Sequence, residues 1–216
     1  GEVVGIVGES GSGKSVTSLT IMGLLNDKNA RISSGEILFK GKDLLKISEK
    51  EMCKIRGAEI TMVFQEPAMA LNPVIKIEKQ LQEIYKIHQP EKVKTCYGEL
   101  VRILEELRIP DAEQVLKKYP FQLSGGMKQR IMIAMAMLSK PKLLIADEPT
   151  TALDLYYKES IHQWMKTYQQ KNGIILMTTH DESEIRNADR CLFMDEGKVQ
   201  ELDAEDILQK FAGMSE

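Results

Sequence analysis

Cysteine is scarce in this chain of 216 residues: Cys53, Cys96 and Cys191 are its three, well separated in sequence. So few, so spread, they make neither a disulfide framework nor a cysteine zinc site, and a reducing cytosol is the simplest compartment to expect. No uninterrupted apolar stretch approaches the ~20 residues that cross a bilayer, so any membrane association has to come through a partner. Positive charge is in no excess either. The 29 Lys and Arg against 32 Asp and Glu leave a net charge of −3, without the basic footprint of a nucleic-acid binder. Internal repeats and low-complexity segments are lacking too. Histidine is as rare as cysteine: His88 and His162 stand in polar helical stretches and read as surface residues, whereas His180 directly follows an apolar run. What the chain does have is 43% hydrophobic residues, enough to bury the core of one large domain or of one domain with a subdomain.

Gly8 to Ser15 reads GESGSGKS and fits the phosphate-loop pattern G-x-x-x-x-G-K-[ST]. A chain of this length with average residue usage would match it by accident about one time in a hundred. The context fits as well. Val3, Val4, Ile6 and Val7 form a β-branched run suited to a buried parallel strand, and Ser15 to Leu25 predicts a helix. Between them Gly8, Glu9, Ser10, Gly11, Ser12 and Gly13 let successive N–H groups converge on a phosphate, while the helix start adds partial positive charge beside Val16. Lys14 then reaches the β and γ oxygens, and Ser15 offers a hydroxyl to Mg²⁺, which prefers oxygen ligands.

Further polar residues end apolar runs. KLLIAD, Lys142 to Asp147, puts Asp147 and Glu148 at a strand's C-terminal end, the rim where ligands bind in open α/β sheets. Asp147 is placed to hold a Mg²⁺ shell there, and Glu148 to orient or deprotonate an attacking water. Ile174 to Thr179 predicts another strand, with His180 at its end; alone, a strand-end histidine reads as structural. Met62 to Pro67, MVFQEP, ends a strand on Gln65, whose amide can ligate Mg²⁺. LSGGM, Leu123 to Met127, precedes a predicted helix over Lys128 to Leu138, so Ser124, Gly125 and Gly126 offer a second helix start to an anion. Met132, Met135 and Met137 on that helix fall at core spacing rather than forming a metal-binding box.

GESGSGKS, LSGGM and DEPTTALD, Asp147 to Asp154, together resemble the ATP-binding cassette (ABC) family, over nearly the whole chain, and YPFQLSGGMKQR, Tyr119 to Arg130, resembles its peptide- and nickel-importing branch. The resemblance implies an α/β phosphate-loop NTPase core with a mainly parallel sheet, a small antiparallel β portion and an inserted helical subdomain at 74–140, within a single domain spanning 1–216. It implies ATP and Mg²⁺ as cofactors and ATP hydrolysis as the activity, with Glu148, His180 and Gln65 in catalytic roles and Ser15, Gln65 and Asp147 around the metal. Ser124, Gly125, Gly126 and Asp154 are then expected to close on a nucleotide held by a second ATPase subunit, identical or related. The solute taken up is expected to be an oligopeptide, nickel or a related metallophore. Transmembrane permeases, sensed from Gln65 to Val74 through AMALNP, Ala68 to Pro73, and indirectly a solute-binding protein, are the other implied partners; nucleic acid is not. This chain would sit on the cytoplasmic face of the membrane, held by the permeases and soluble by itself.

Relatives begin with an antiparallel portion bearing an aromatic residue that stacks on adenine, whereas this sequence opens at Gly1 on the phosphate-loop strand. A fragment or truncated form is expected on that ground, with ATP binding weaker by about 1–3 kcal/mol. The cysteine-bearing C-terminal extension of some relatives is also missing, so no iron–sulfur cluster is expected. A soluble ABC ATPase of DNA repair or translation stays open as an alternative, although the long coiled coils or fused cassettes usual there are missing. A small-molecule kinase would leave LSGGM and His180 unexplained, and Glu148 with His180 disfavours an inactive regulator.

Around these motifs, GEILFKGKD, Gly35 to Asp43, predicts a small antiparallel hairpin. LQEIYKIH, YGELVRILEELRI and AEQVLKKY predict a helical run between Val74 and Leu138. Phe193 to Glu201 predicts a late hairpin about Asp195, Glu196 and Gly197, and Asp203 a cap on a last short helix over Ile207 and Leu208.

Overall fold

The computed structural model describes residues 1–25, 30–67, 70–151 and 153–214. Ala68 and Met69 of AMALNP and Ala152 of DEPTTALD lie outside them. Strand β1 (Glu2–Val7) leads through the glycine-rich loop into α1 (Lys14–Ile21). Next come β2 (Leu38–Phe39), β3 (Lys42–Asp43), α2 (Glu49–Ile55) and β4 (Ile60–Val63). A helical section follows: α3 (Ile77–His88), α4 (Tyr97–Glu106), α5 (Ala112–Leu116) and α6 (Gly125–Ser139). The chain then alternates through β5 (Leu143–Asp147), α7 (Leu155–Gln170), β6 (Ile174–Thr179), α8 (Glu182–Asn187), β7 (Arg190–Asp195), β8 (Lys198–Leu202) and α9 (Ala204–Met214).

Among the described residues the main sheet has six strands in the order β4-β5-β6-β1-β7-β8. Every neighbouring pair is parallel except β7 with β8. Strands buried on both faces need apolar residues in consecutive positions, and β1, β5 and β6 have them. Leu144, Ala146, Ile175 and Met177 face the helical section and α7, while Ile60, Met62 and Ile145 face α1, α2 and the β2–β3 hairpin. Both hairpins turn on two residues with positive φ, Lys40 with Gly41 and Glu196 with Gly197, the twist that two-residue loops require.

Helices α3 to α6 share one continuous core with the sheet, built on Leu81, Tyr85, Leu100, Leu104 and Ile131. Helix α6 is buried nearly all round, as an apolar helix in the middle of a fold must be. Met132 and Met137 are buried and Met135 half-buried in that core, so the methionine run is packing.

Several boundaries differ from expectation. The first helix stops at Ile21, short of Leu25, because Gly23 at φ 61° forms a left-handed C-terminal cap: its N–H donates to Thr20 O, and that of Leu24 to Leu19 O. The helix expected from Lys128 begins at Gly125, since the Ser124 hydroxyl caps it by accepting from Met127 N and offsets the low helix propensity of two glycines. Neither His88 nor His162 is a plain surface residue. His88 is half-buried beside Gly57 and its pKa is lowered by that burial; His162 lies 3.4 Å from the buried carboxylate of Glu184. All three cysteines are free thiols, Cys53 exposed and the other two buried.

Candidate functional site

Parallel strands all end on the same edge of a sheet, so strand order decides which terminal residues meet. Here β4, β5, β6 and β1 are consecutive neighbours. Register sets the level: Val63 pairs with Ala146, Asp147 with Thr178, and Val7 with Thr179. Gln65, Glu148, His180 and Gly8 therefore leave the sheet side by side.

The loop from Gly8 to Ser15 is shaped by contact with β7. A Cβ on Gly8 would lie 2.1 Å from the carbonyl oxygen of Met194, so only glycine fits there. Lys14 is buried, and its Nζ donates to the carbonyls of Gly8 at 2.7 Å and Glu9 at 2.8 Å, drawing the ammonium across the loop. Among the described residues Ser12 Oγ is buried without a hydrogen-bond partner. Glu9, Ser10, Gly11 and Val16 are exposed on its outer side, with Gly13 half-buried.

Ser15, first in the helix after Lys14, donates its hydroxyl to Asp147 Oδ1 at 3.1 Å. The same oxygen accepts from Thr178 Oγ1 at 2.5 Å. Glu148 turns out of the strand at φ 45°, a conformation costly for a residue with a side chain, and its N–H is held by both the carbonyl and the hydroxyl of Thr178. That turn aims the carboxylate along the rim. Its Oε2 accepts from Gln65 Nε2 at 2.9 Å and Thr151 Oγ1 at 3.2 Å, and its Oε1 lies 3.5 Å from His180 Nδ1. Beyond His180, partial burial pushes the Asp181 carboxyl up, but hydrogen bonds from Lys158 and Ser183 outweigh it and hold the group well below the usual carboxylate range.

Seven of the residues singled out from sequence thus share one rim: Gly8, Lys14, Ser15, Gln65, Asp147, Glu148 and His180. Among the described residues no three His, Cys, Asp or Glu side chains cluster as a metal site. The hydroxyl, amide and carboxylate of Ser15, Gln65 and Asp147 are all oxygen donors. They fit a hard cation whose remaining ligands come from phosphate and water. Thr178 joins these groups, and its residue type alone gave no reason to separate it from the strand.

Ser124, Gly125, Gly126 and Asp154 are not brought to that rim. Ser124, Gly126 and Asp154 border a different cleft of about 320 Å³, with Met127, Arg130 and Tyr157. Asp154 caps α7 by accepting from Tyr157 N, and a Cβ on Gly125 would meet nothing within 4 Å. Arg130 ties α6 in place: its guanidinium lies 3.7 Å from the Tyr157 ring centroid and donates to the carbonyls of Leu107 and Arg108. Burial lowers its pKa.

The family model described as "ABC transporter" matches residues 1–151. An oligopeptide transport ATP-binding protein, AppD of Bacillus subtilis (strain 168), is 48% identical over 93% of this chain and 62% of its own length. A dipeptide transport ATP-binding protein of the same organism, DppD, is 48% identical over 94% of this chain and 61% of its own. The chain thus spans about three fifths of these relatives. Among solved structures, a dimeric post-hydrolysis state of the ATP-binding cassette MJ0796 bound to ADP and Pi matches with a TM-score of 0.79 at 27% identity, over 94% of this chain and 85% of that one.

Proposed function

The chain belongs to the ABC transporter family, and from that premise we propose that it is the ATP-hydrolysing subunit of a peptide importer. The observation that carries this reading is the meeting of Ser15, Asp147, Glu148, Gln65 and His180 at one sheet rim. The loop from Gly8 to Val16 takes the triphosphate on its N–H groups and the start of α1, and Lys14 exchanges the carbonyls of Gly8 and Glu9 for phosphate oxygens. Ser15, Asp147 and Gln65 hold Mg²⁺, which when bound neutralises charge on the phosphates. Glu148, already turned toward Gln65 and His180, orients or deprotonates the water; His180 steadies that carboxylate and reaches the γ-phosphate.

Ser124, Gly126 and Asp154 border another cleft, with Gly125 between the first two in sequence. In this reading they close on nucleotide bound by a second ATPase subunit, the same chain or a relative, so that two clefts form two complete sites. The helical segment 74–140 acts as a subdomain that carries α6, and residues 65–74 relay closure to membrane permeases, which are fed in turn by a solute-binding protein. Among the described residues no helix is long and apolar enough to cross a membrane, so attachment to its cytoplasmic face runs through those permeases. The relatives' names point to peptides rather than nickel. The test is uptake of a labelled dipeptide or oligopeptide into cells carrying the intact transport system, with this gene present or deleted. Uptake lost on deletion and restored by the gene is expected. Unchanged uptake beside ATP hydrolysis by the purified protein would overturn the importer reading.

A further inference from the structure

Glu184 is a charged side chain with only 2% exposure, and nothing in the proposed reaction uses it. It sits in α8, four residues after His180. Its Oε1 accepts from Thr150 Oγ1 at 2.6 Å and lies 3.4 Å from His162 Nε2 in α7; its Oε2 accepts from Thr179 Oγ1. Burying a carboxylate is costly unless its oxygens are satisfied, and here both are. The partners are informative by position. Thr150 is two residues beyond Glu148, on the segment leaving β5, and Thr179 immediately precedes His180 at the end of β6. Thr179 Oγ1 also accepts from Asp181 N, across His180. One carboxylate therefore bridges the two segments that bear Glu148 and His180, behind the 3.5 Å contact between those side chains.

We infer that Glu184 is a positioning residue that fixes Glu148 and His180 relative to each other by gripping Thr150 and Thr179. This rests on the ATPase reading above. Thr178 ties the same two strands at the level of Asp147, but its bonds reach only Asp147 and the Glu148 N–H; in the turn beyond, Gln129 Nε2 of α6 donates to Pro149 O, which holds that turn to α6 and not to the His180 segment. Glu184 supplies the second tie between the two segments, beyond the strand ends. Without it both loops keep their sequence and their ligands, yet lose the fixed angle between base and imidazole. Loss of alignment costs turnover rather than ground-state binding.

The test uses the full-length protein in its active assembly, with steady-state hydrolysis and thermal melts run together. Thr150→Val and Thr179→Val remove one grip each while keeping the β-branched shape; Glu184→Gln keeps an acceptor oxygen, and Glu184→Ala removes both. Each valine variant should lower kcat on the order of 10-fold, and Glu184→Ala on the order of 100-fold, with KM for ATP within about twofold of wild type. Glu184→Gln should recover part of the loss. Variants that melt lower but keep the wild-type kcat would make Glu184 merely an anchor for α8 and overturn the inference. So would a parallel rise in KM that accounts for the whole loss. A wild type that hydrolyses no ATP would instead sink the functional reading, and this inference with it. If Glu184→Ala does not fold, the two valine variants decide.

Discussion

Two helices in this molecule begin on glycine and serine and offer their N-termini to solvent, yet they are built differently. The start of α1 is wired into the sheet: Lys14 is buried against the carbonyls of Gly8 and Glu9, and Ser15 bonds to Asp147 at the end of β5. The start of α6 bonds inward: the Ser124 hydroxyl serves Met127 of its own helix, and Gly125 is open. Helix polarity is common to both. What differs is chemistry within reach: among the described residues, Asp154 shares the cleft at the start of α6, whereas carboxylate, amide and imidazole gather at the rim beside α1. A helix start can hold an anion in either place; the proposed cleavage of a phosphate bond calls on the rim groups as well.

The largest expected effect tests that asymmetry at Glu148. Glu148→Gln keeps the shape and an acceptor for Gln65 but removes basicity, so hydrolysis should fall about 100-fold or more with ATP binding retained. ATP-loaded dimers should accumulate, seen by sedimentation. Wild-type turnover in this variant would dissolve the distinction between the two helix starts. Ser124→Arg makes the complementary cut. It should abolish hydrolysis as well, while the dilute monomer keeps its ATP affinity, because in the proposed two-subunit arrangement the changed surface meets only nucleotide held by a partner. A Ser124→Arg monomer that hydrolyses at the wild-type rate would reduce LSGGM to a helix cap.

Next in size is Lys14→Ala. Titration calorimetry should show ATP affinity lower by at least about tenfold, the scale of a charged contact worth roughly 1.5–3 kcal/mol. The two carbonyl bonds add a structural cost: the nucleotide-free protein should lose about 1 kcal/mol. Unchanged affinity would remove Lys14 from the phosphate site. Loss of the fold would mean that its structural bonds dominate.

How much of this was legible beforehand follows from what each feature depends on. Strand ends at Asp147 and Thr179, and the loop between β1 and α1, depend on local apolar runs and a fixed motif, so they could be read. The early stop of α1 depends on one glycine in a left-handed conformation, invisible to periodicity. The start of α6 at Gly125 depends on a cap that outweighs propensity. Thr178 and Glu184 could not be singled out, because their importance lies in contacts between strands and helices far apart in sequence. His162 read as surface for the same reason: its neighbour Glu184 is 22 residues away.

The smallest expected effect sharpens the comparison through acid. Asp181 caps α8 beside His180, and its pKa is depressed, by the bonds from Lys158 and Ser183 against the opposing pull of burial. The unfolded chain therefore takes up this proton at higher pH than the folded one, so the contribution is full above the unfolded value of about 3.9 and is lost as pH falls through the folded value. Asp181→Asn keeps a side-chain oxygen for capping but cannot carry the charge that faces Lys158. It should be less stable than wild type by about 1 kcal/mol at pH 7, the scale of one partly screened ion pair and hydrogen bond. The gap should narrow as pH drops below about 4. Urea unfolding of both proteins at pH 7, 4 and 3 measures it. A gap constant with pH would mean that Asp181 stabilises α8 by shape alone, and the rim at α1 would then owe nothing to this charge; a narrowing gap ties the order of the His180 turn to an ionised carboxylate.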